Sequence, residues 1–474
     1  MVSPVIFWFR RDLRLSDNVA LVDAADRGDG DVVPVFVIDP SLTASVGPAR
    51  TAYLQATLRA LHESTRAALV IRCGDPSEEL AAVAHERGAR EVVATADFTP
   101  AGRRRDERVA ARLAQQGLAI RFVDSPYVVR PGTLTTAAGT PCKVFTPFRR
   151  RWELEALAPP LPAPRVAWKD AASVDIARLA EVSCLLRPEY FGELSDEVPR
   201  FDSRVGEAGA RATLEEFLTR VDRYDETRNL PGVEGTSRLS SHLRFGTIHP
   251  RQVLAATQGS SSGAEVFRSE ICWREFYADV LWHHPESTWQ VLQPSLEHLR
   301  VDHDARAVDR FQTWARGETG YPLVDAGMRQ LLQEGWMHNR VRMVAASFLV
   351  KHLHLDWRWG AKWFMWRLVD ADVASNQHGW QWTAGTGTDA SPFHRIFNPT
   401  LQAERFDPQG TYVRRYVSEL HDVSAPQCLQ PGGGEGLLRA SGYVAPMVDA
   451  AVERDEALAR FAEARQAARG EVNA

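Results

Sequence analysis

Val5-Ile6-Phe7-Trp8-Phe9-Arg10-Arg11-Asp12-Leu13-Arg14-Leu15 runs five apolar residues straight into a block of charge. Five apolar residues in a row are too short for a buried helix and suit a strand covered on both faces. The same texture returns at Val32–Ile38, Ala68–Ile71, Glu91–Ala96 and Ile120–Val123. Between these runs, Thr51–Arg66, Glu78–Arg87 and Arg103–Gln116 have the spacing of amphipathic helices. Strand and helix in alternation predict an α/β domain with a doubly wound parallel sheet over residues 1–130. No G-x-G-x-x-G follows the first strand, so the ordinary dinucleotide fingerprint is absent.

The pattern fades near Pro131, and residues 131–205 read as a connection containing Ala-Pro-Pro-Leu-Pro-Ala-Pro at 158–164. Residues 206–425 then carry helical spacing at Ala208–Tyr224, Pro250–Thr257, Ala264–Trp282, Tyr321–Glu334, Met337–His354 and Ala361–Val369. The fold class expected is therefore α/β followed by all-α. Residues 426–474, with Pro-Gly-Gly-Gly-Glu-Gly at 431–436 and a charged, Ala-rich end at Val452–Arg469, read as a linker and a solvated tail.

Composition narrows the function. The 474 residues are 44% hydrophobic and 25% charged, as in soluble globular chains, and no apolar run reaches the roughly 18 residues of a spanning helix. The five Cys (Cys73, Cys142, Cys184, Cys272, Cys428) lack zinc or C-x-x-C spacing, so no metal and no disulfide framework is expected. With no signal-peptide pattern at the start, a reducing cytoplasm is the expected compartment. Net charge is −5, which argues against coating nucleic acid by global charge, yet Trp336–Arg367 holds six Arg/Lys and one Asp, a local +5 interleaved with aromatics. Only four of the 56 basic residues are Lys, and genomic base composition is sufficient to explain that. Eleven of the 14 Trp fall between Trp273 and Trp382.

Four stretches carry the chemistry. Gly235-Thr236-Ser237-Arg238-Leu239-Ser240-Ser241 offers hydroxyls and backbone N–H groups suited to phosphate, and equally suits a helix N-cap. Glu270, Trp273, Arg274 and Tyr277 share one helix face, either a surface that stacks a flat ring and bonds its edge or an exposed charged face anchored by an indole. In Gly335–Met343, Asn339, Arg342 and Met343 lie at i, i+3 and i+4. In Asp370–Asp389, acids opposite Arg342 suit a polar heterocycle better than a metal, with Gly379 allowing close approach and Trp380 and Trp382 flanking it.

These stretches, with Thr-Gly-Tyr-Pro-Leu-Val-Asp-Ala-Gly-Met-Arg-Gln at 319–330 and Arg-Ile-Phe-Asn-Pro-Thr at 395–400, resemble the photolyase/cryptochrome family of flavoproteins. The likeness is greatest to class I cyclobutane pyrimidine dimer photolyases and runs from Phe7 to about Leu420. The resemblance implies FAD held by Tyr224, Thr236, Ser237, Leu239, Ser240, Phe267, Arg274, Arg342, Asp370 and Asp372, with Asn376 facing flavin N5 and FADH⁻ as the active form. It implies UV-damaged DNA as partner: Glu270 and Asn339 at the lesion's polar edges, Trp273, Met343 and Trp382 as apolar walls, Arg228 and Arg340 on phosphates. Electron transfer under blue light, from FADH⁻ to the dimer and back, would need no nucleophile and no general acid/base pair, while Trp380 and Trp357 would belong to a separate relay that carries electrons to the flavin.

Relatives that act on (6-4) photoproducts place two His four apart where Asn339 and Met343 stand, so cyclobutane dimers are favoured. The third Trp of the family's relay has no match near Leu299–Asp304; Trp314, Trp282 and Trp289 are the candidates to replace it. Ala101 and Gly102 stand where folate-using relatives present an amide and a carboxylate, so 8-hydroxy-deazaflavin is preferred to methenyltetrahydrofolate as second chromophore. A monomer with no obligate protein partner is expected. A cryptochrome-type photoreceptor without repair is the alternative, and an NAD(P)H-dependent flavin oxidoreductase lacks a second nucleotide motif.

Overall fold

The computed structural model describes residues 3–43, 46–168, 201, 204–259, 261–389, 395–434 and 442–472. β1 (Val5–Phe9) and β2 (Val32–Ile38) are buried at every position, as strands covered on both faces must be. With β3 (Val70–Cys73), β4 (Glu91–Thr95) and β5 (Ala119–Val123) they form a parallel sheet in the order β3-β2-β1-β4-β5. Val5 of β1 registers with Val32 on one side and Glu91 on the other. The edge strands differ from the expectation of full burial: only Val70 of β3 is buried, and no residue of β5 is. Charged residues on both edges, Arg72 and Arg121, discourage pairing with another chain.

The helices around the sheet are α1 (Val19–Arg27), α2 (Pro48–Ser64), α3 (Pro76–Arg87) and α4 (Pro100–Gln115). The last three begin two or three residues before their apolar periodicity does, because each starts on a Pro pre-set for the first turn. Asp75 and Thr99 add side-chain caps to Ser77 N–H and Gly102 N–H. One sheet face buries Ile6, Trp8, Val35, Leu80, Val109 and Leu113, each contributing about 1.5–3 kcal/mol.

Further helices include α5 (Phe145–Trp152), α6 (Gly206–Leu218), α7 (Ser240–Phe245) and α8 (Ser262–His283), with a short helix at Pro250–Ala256 between the last two. The residues divide into two compact units, and α5–α8 fall with the sheet, in the unit made from Met1–Gly192, Arg200–Asp222 and Ser237–Pro285. The expected boundary at residue 206 put α6–α8 with the later helices. The attachment of α8 is physical: Glu275 accepts from Val128 N–H, Val129 N–H and Trp152 Nε1, and Asp279 accepts from Gly132 N–H. Burial raises the pKa of Glu275 against those same hydrogen bonds. Of the connection expected over 131–205, residues 169–200 and 202–203 lie outside the described residues, and α5 stands within the rest.

The second unit holds α9 (Ala305–Arg316), α10 (Pro322–Glu334), α11 (Asn339–Lys351), α12 (Trp357–Arg367), α13 (Val373–Ala384), α14 (Pro399–Phe406), α15 (Thr411–Tyr416) and α16 (Ala450–Val472). Buried Asp325 accepts from Thr319 N–H and Oγ1, Gly320 N–H and Tyr443 OH, so the 319–330 motif builds a turn rather than a reactive centre. The expectation of a solvated tail is corrected here. Phe461 and Ala464 bury one face of α16 against Leu296 and Leu299, Ala457 is buried as well, and Arg460 pairs with Asp302 and Glu453 with His354. Three small or single apolar residues in a charged helix leave little periodic signal, which is why the face is invisible in the sequence.

Candidate functional site

In the helical unit, the turn before α11 is fixed from below. Gln330 Oε1 accepts from His338 N–H and Tyr412 OH, and Arg329 grips Glu419 at 2.6 and 2.9 Å. His338 then caps α11 by accepting from Arg340 N–H. Asn339 is exposed and Met343 half-buried, so the expected shared face is formed. Arg342 donates Nε to Met337 O at 2.7 Å and Nη2 to Asp370 Oδ2 at 2.8 Å. The Asp370 side chain is 2% exposed, yet its Oδ1 has no partner among the described residues. A buried carboxylate oxygen left open costs free energy unless a donor arrives.

Asp372 caps α13 through Ser375 N–H. One turn on, Asn376 spends both Nδ2 protons on Ala361 O (3.0 Å) and Gln377 Oε1 (2.8 Å), leaving Oδ1 without a partner among the described residues. At Gly379, which shares that helix face, nothing lies within 4 Å of where a Cβ would stand. An open acceptor beside a bare stretch of backbone is a seat for a flat ring with an N–H at its edge. The opposite side of α13 is scaffold: His378 meets Ser287, and Gln381 donates to the carbonyls of Ser287 and Gln290. Trp380 rests on α12, where a Cβ at Gly360 would stand 2.0 Å from its ring. Trp357, one turn before Gly360, and Trp380 both bury indole N–H groups without partners among the described residues.

Arg340 donates Nε and Nη2 to Asn229 Oδ1 and lies over Phe406 at 4.5 Å; Arg228 lies over Tyr224 at 5.6 Å. Thr236 belongs to this unit as well, and Gly235 is needed beside it because a Cβ would meet Thr227 at 2.7 Å. Trp382 is half-buried at the far end of α13.

In the sheet-bearing unit, Ser237, Leu239 and Ser240 lead into α7. That helix has six residues, so the hydroxyls and local N–H groups, rather than a long helix dipole, are what the segment offers an anion. Glu270 and Trp273 are half-buried on α8, and the Trp273 ring lies flat on Phe145 at 3.7 Å and 7°. Two expected cofactor residues have other contacts. Arg274 donates to Pro126 O and Leu243 O and covers Tyr127, and Phe267 is 3% exposed with its ring against Phe217. These contacts hold both side chains of α8 in place within this unit.

A second place suited to a ligand is the carboxyl edge of the sheet, where strand order turns between β1 and β4. Here the chain fills the crevice itself. Arg10 bonds Asp106 and Thr95 O, Arg105 bonds Asp97 (3.2 Å) and Asp106 (2.8 Å), and Asp97 accepts from Thr99 N–H and Oγ1. Arg10 and Arg105 both stack on Trp8. Burial alone would raise the pKa of Asp97, but Arg11, Arg105 and Arg10 outweigh it and hold the group far below the usual range. Gly102 is required there, since a Cβ would stand 2.2 Å from Asp97.

Asn229, Phe145, Gly360 and Gln330 were not singled out in the sequence, and each acts through a partner distant along the chain. Among the described residues no group of three or more His, Cys, Asp or Glu is disposed to hold a metal, and no helix is long and apolar enough to cross a membrane.

A parallel-sheet unit joined to a helical unit with an open acceptor pair, Arg342–Asp370 and Asn376, defines a protein built to hold a large ring-bearing cofactor. Residues 5–165 match the DNA photolyase domain and residues 267–463 the FAD binding domain of DNA photolyase. The chain is 41% identical to the deoxyribodipyrimidine photo-lyase of Agrobacterium fabrum, across 97% of this chain and 98% of that one. It is 40% identical to that of Halobacterium salinarum, across 97% and 99%. Among solved structures, a bacterial class III photolyase from Agrobacterium tumefaciens superposes with TM-score 0.87 at 38% identity, covering 98% of each chain. An archaeal photolyase from Sulfolobus tokodaii with two FAD molecules gives 0.83 at 27% identity, covering 97% and 99%. A Synechocystis cryptochrome gives 0.82 at 28% identity, covering 96% and 99%. The chain belongs to the DNA photolyase family.

Proposed function

We propose that this chain is a deoxyribodipyrimidine photo-lyase that repairs cyclobutane pyrimidine dimers in UV-damaged DNA under blue light. The observation that carries this reading is the open acceptor pair, Asp370 Oδ1 and Asn376 Oδ1, beside bare Gly379. Bound FAD in its reduced anionic form supplies the photoexcited electron that splits the dimer and receives it back. Because Asn376 Nδ2 is committed to Ala361 O, its Oδ1 accepts from the ring N–H that only a reduced flavin carries at N5. Asp370, held by Arg342, takes a second ring donor, and Asp372 lies on the same polar edge. Tyr224, Thr236, Ser237, Leu239 and Ser240 hold phosphates and ribitol.

On the DNA side, Glu270 and Asn339 bond the pyrimidine edges of the extruded dimer. Trp273, Met343 and Trp382 wall it, and Arg228 and Arg340 hold the flanking phosphates. Unstacking costs a few kcal/mol, less for a damaged pair, which contributes selectivity. The enzyme acts in the cytoplasm as a monomer without an obligate partner. A second chromophore is part of this reading, with 8-hydroxy-deazaflavin preferred because Ala101 and Gly102 are poor folate ligands; the filled carboxyl edge of the sheet lends it no support.

The test is a thymine-dimer oligonucleotide under blue light with flavin chemically reduced beforehand. Light-dependent loss of the dimer is expected, and an unchanged dimer would sink the reading. The similarity to a cryptochrome structure favours a second reading, a photoreceptor without repair, which predicts that unchanged dimer.

A further inference from the structure

The helical unit contains a continuous file of aromatic rings leading from Trp380 to the surface. Trp380 is 3% exposed and meets Trp314 at 6.2 Å between ring centres, 71° between planes. Trp314 is fully buried and meets Phe311 at 5.8 Å; Phe311 meets Trp359 at 5.7 Å, edge to face. Trp359 is half-buried and touches exposed His303 at 6.3 Å. Phe364 packs against both Trp380 (5.0 Å) and Trp314 (6.1 Å), so water is excluded from the inner part of the file.

The two ends of this file differ in what a missing electron would meet. The Trp314 indole N–H donates to Ala345 O at 3.1 Å in a dry interior, so an oxidised Trp314 has no route by which to shed its proton to water. Trp359 borders solvent, where an indole radical cation loses its N–H proton and becomes long-lived. The neighbouring surface explains why the outlet lies here. Leu299 packs under α16, Arg300 pairs with Glu456 and Glu463, and Asp302 pairs with Arg460 and Arg310. Those positions are spoken for by the C-terminal helix, and Trp359 reaches the adjoining His303 from α12 instead.

We propose that Trp359 is the terminal electron donor of this chain, acting through Trp314 across Phe311 to refill Trp380, in place of the step through Trp357 that the resemblance implies. The assignment rests on the flavin reading above. Trp380 gives one electron to photoexcited oxidised flavin; one electron passes from Trp314 to Trp380 and one from Trp359 to Trp314. The Trp359 radical cation releases its N–H proton to water, and a soluble one-electron reductant of the thiol class returns an electron and a proton. The net change is one electron from thiol to flavin.

The experiment is flash photolysis of protein loaded with oxidised FAD, following indole-radical absorption with and without thiol. Trp359→Phe should reduce steady photoreduction to the level of Trp380→Phe and abolish the long-lived, thiol-sensitive radical. Trp359→Tyr, which restores an oxidisable ring, should recover part of it, and Trp289→Phe, at an indole 59% exposed elsewhere in the unit, should change nothing. Peptide mapping after prolonged light without thiol should find oxidation products on Trp359. A wild-type radical in Trp359→Phe, or oxidation confined to Trp289, would overturn the assignment. Dimer repair by chemically reduced protein should be equal in wild type and Trp359→Phe, so failure of the repair reading shows separately, as absent repair in both.

Discussion

At the carboxyl edge of the sheet, Arg10, Arg105, Asp97 and Asp106 are each bonded to one another or to backbone. Around α11–α13 a cluster of similar composition, Arg342, Asp370 and Asn376, leaves two acceptor oxygens open. Both place arginine against a carboxylate that is at most 9% exposed, so the ion pair itself does not separate them. What separates them is completeness: the first network closes on itself and stabilises the fold, and the second is complete only when something else binds.

The largest expected effect breaks the open cluster. Arg342→Ala strands the buried Asp370 charge, so urea unfolding should register a loss of about 4 kcal/mol and the purified protein should lack flavin absorbance. Full colour with wild-type stability would remove the distinction drawn between the clusters. Next, Asp97→Asn takes the counter-charge from three arginines and should destabilise by about 3 kcal/mol, with flavin content and repair by the folded protein unchanged. Loss of flavin in that variant would mean that the closed network serves the site after all.

The two units should respond alike to acid. Burial lowers His242, in the sheet-bearing unit, to about 4, and burial with nearby His354 lowers His352, in the helical unit, to about 4. Both are neutral in the fold and charged in the unfolded chain between pH 4 and about 6.5, so the unfolded chain binds more protons across that window. Stability should therefore rise with pH from about 4 to 6.5, each histidine costing on the order of 2 kcal/mol at the acid end. Thermal melts of His242→Gln and His352→Gln should each show a flatter slope than wild type; parallel slopes would discard the assignment. The smallest effect is at Phe145. Removing its stack on Trp273 by Phe145→Ala should weaken lesion binding by about 1 kcal/mol, read as a higher Kd for dimer DNA with unchanged turnover at saturation. A fall in turnover with unchanged Kd would argue against Phe145 as a support for the lesion wall.

Much of this was legible in the chain. The limits of β1 and β2 follow directly from their apolar runs, and the charged break after Phe9 marks where the strand ends. The Arg342–Asp370 pair was readable because opposite charges flank a Gly-bearing helix. Other features were not, because they depend on contacts between distant segments. Nothing near Arg274 announces that it will be spent on Pro126 O and Leu243 O, and nothing near Phe267 announces Phe217. The docking of α16 rests on a few apolar side chains and on ion pairs with distant residues, which its charged, Ala-rich sequence does not reveal. Trp359 was overlooked because it sits two residues from Trp357, where an extra indole reads as core.

The turn that leads into α10 is finished from far downstream. Asp325 takes its fourth donor from Tyr443, and Tyr321 OH reaches Val448 O. A ribosome must therefore release the chain past Tyr443 before Asp325 is satisfied and the segment carrying Asn339 settles. Flavin loading then waits on that downstream segment, and a chain arrested before Tyr443 should emerge colourless and protease-sensitive, so that cofactor capture reports that synthesis has passed this point.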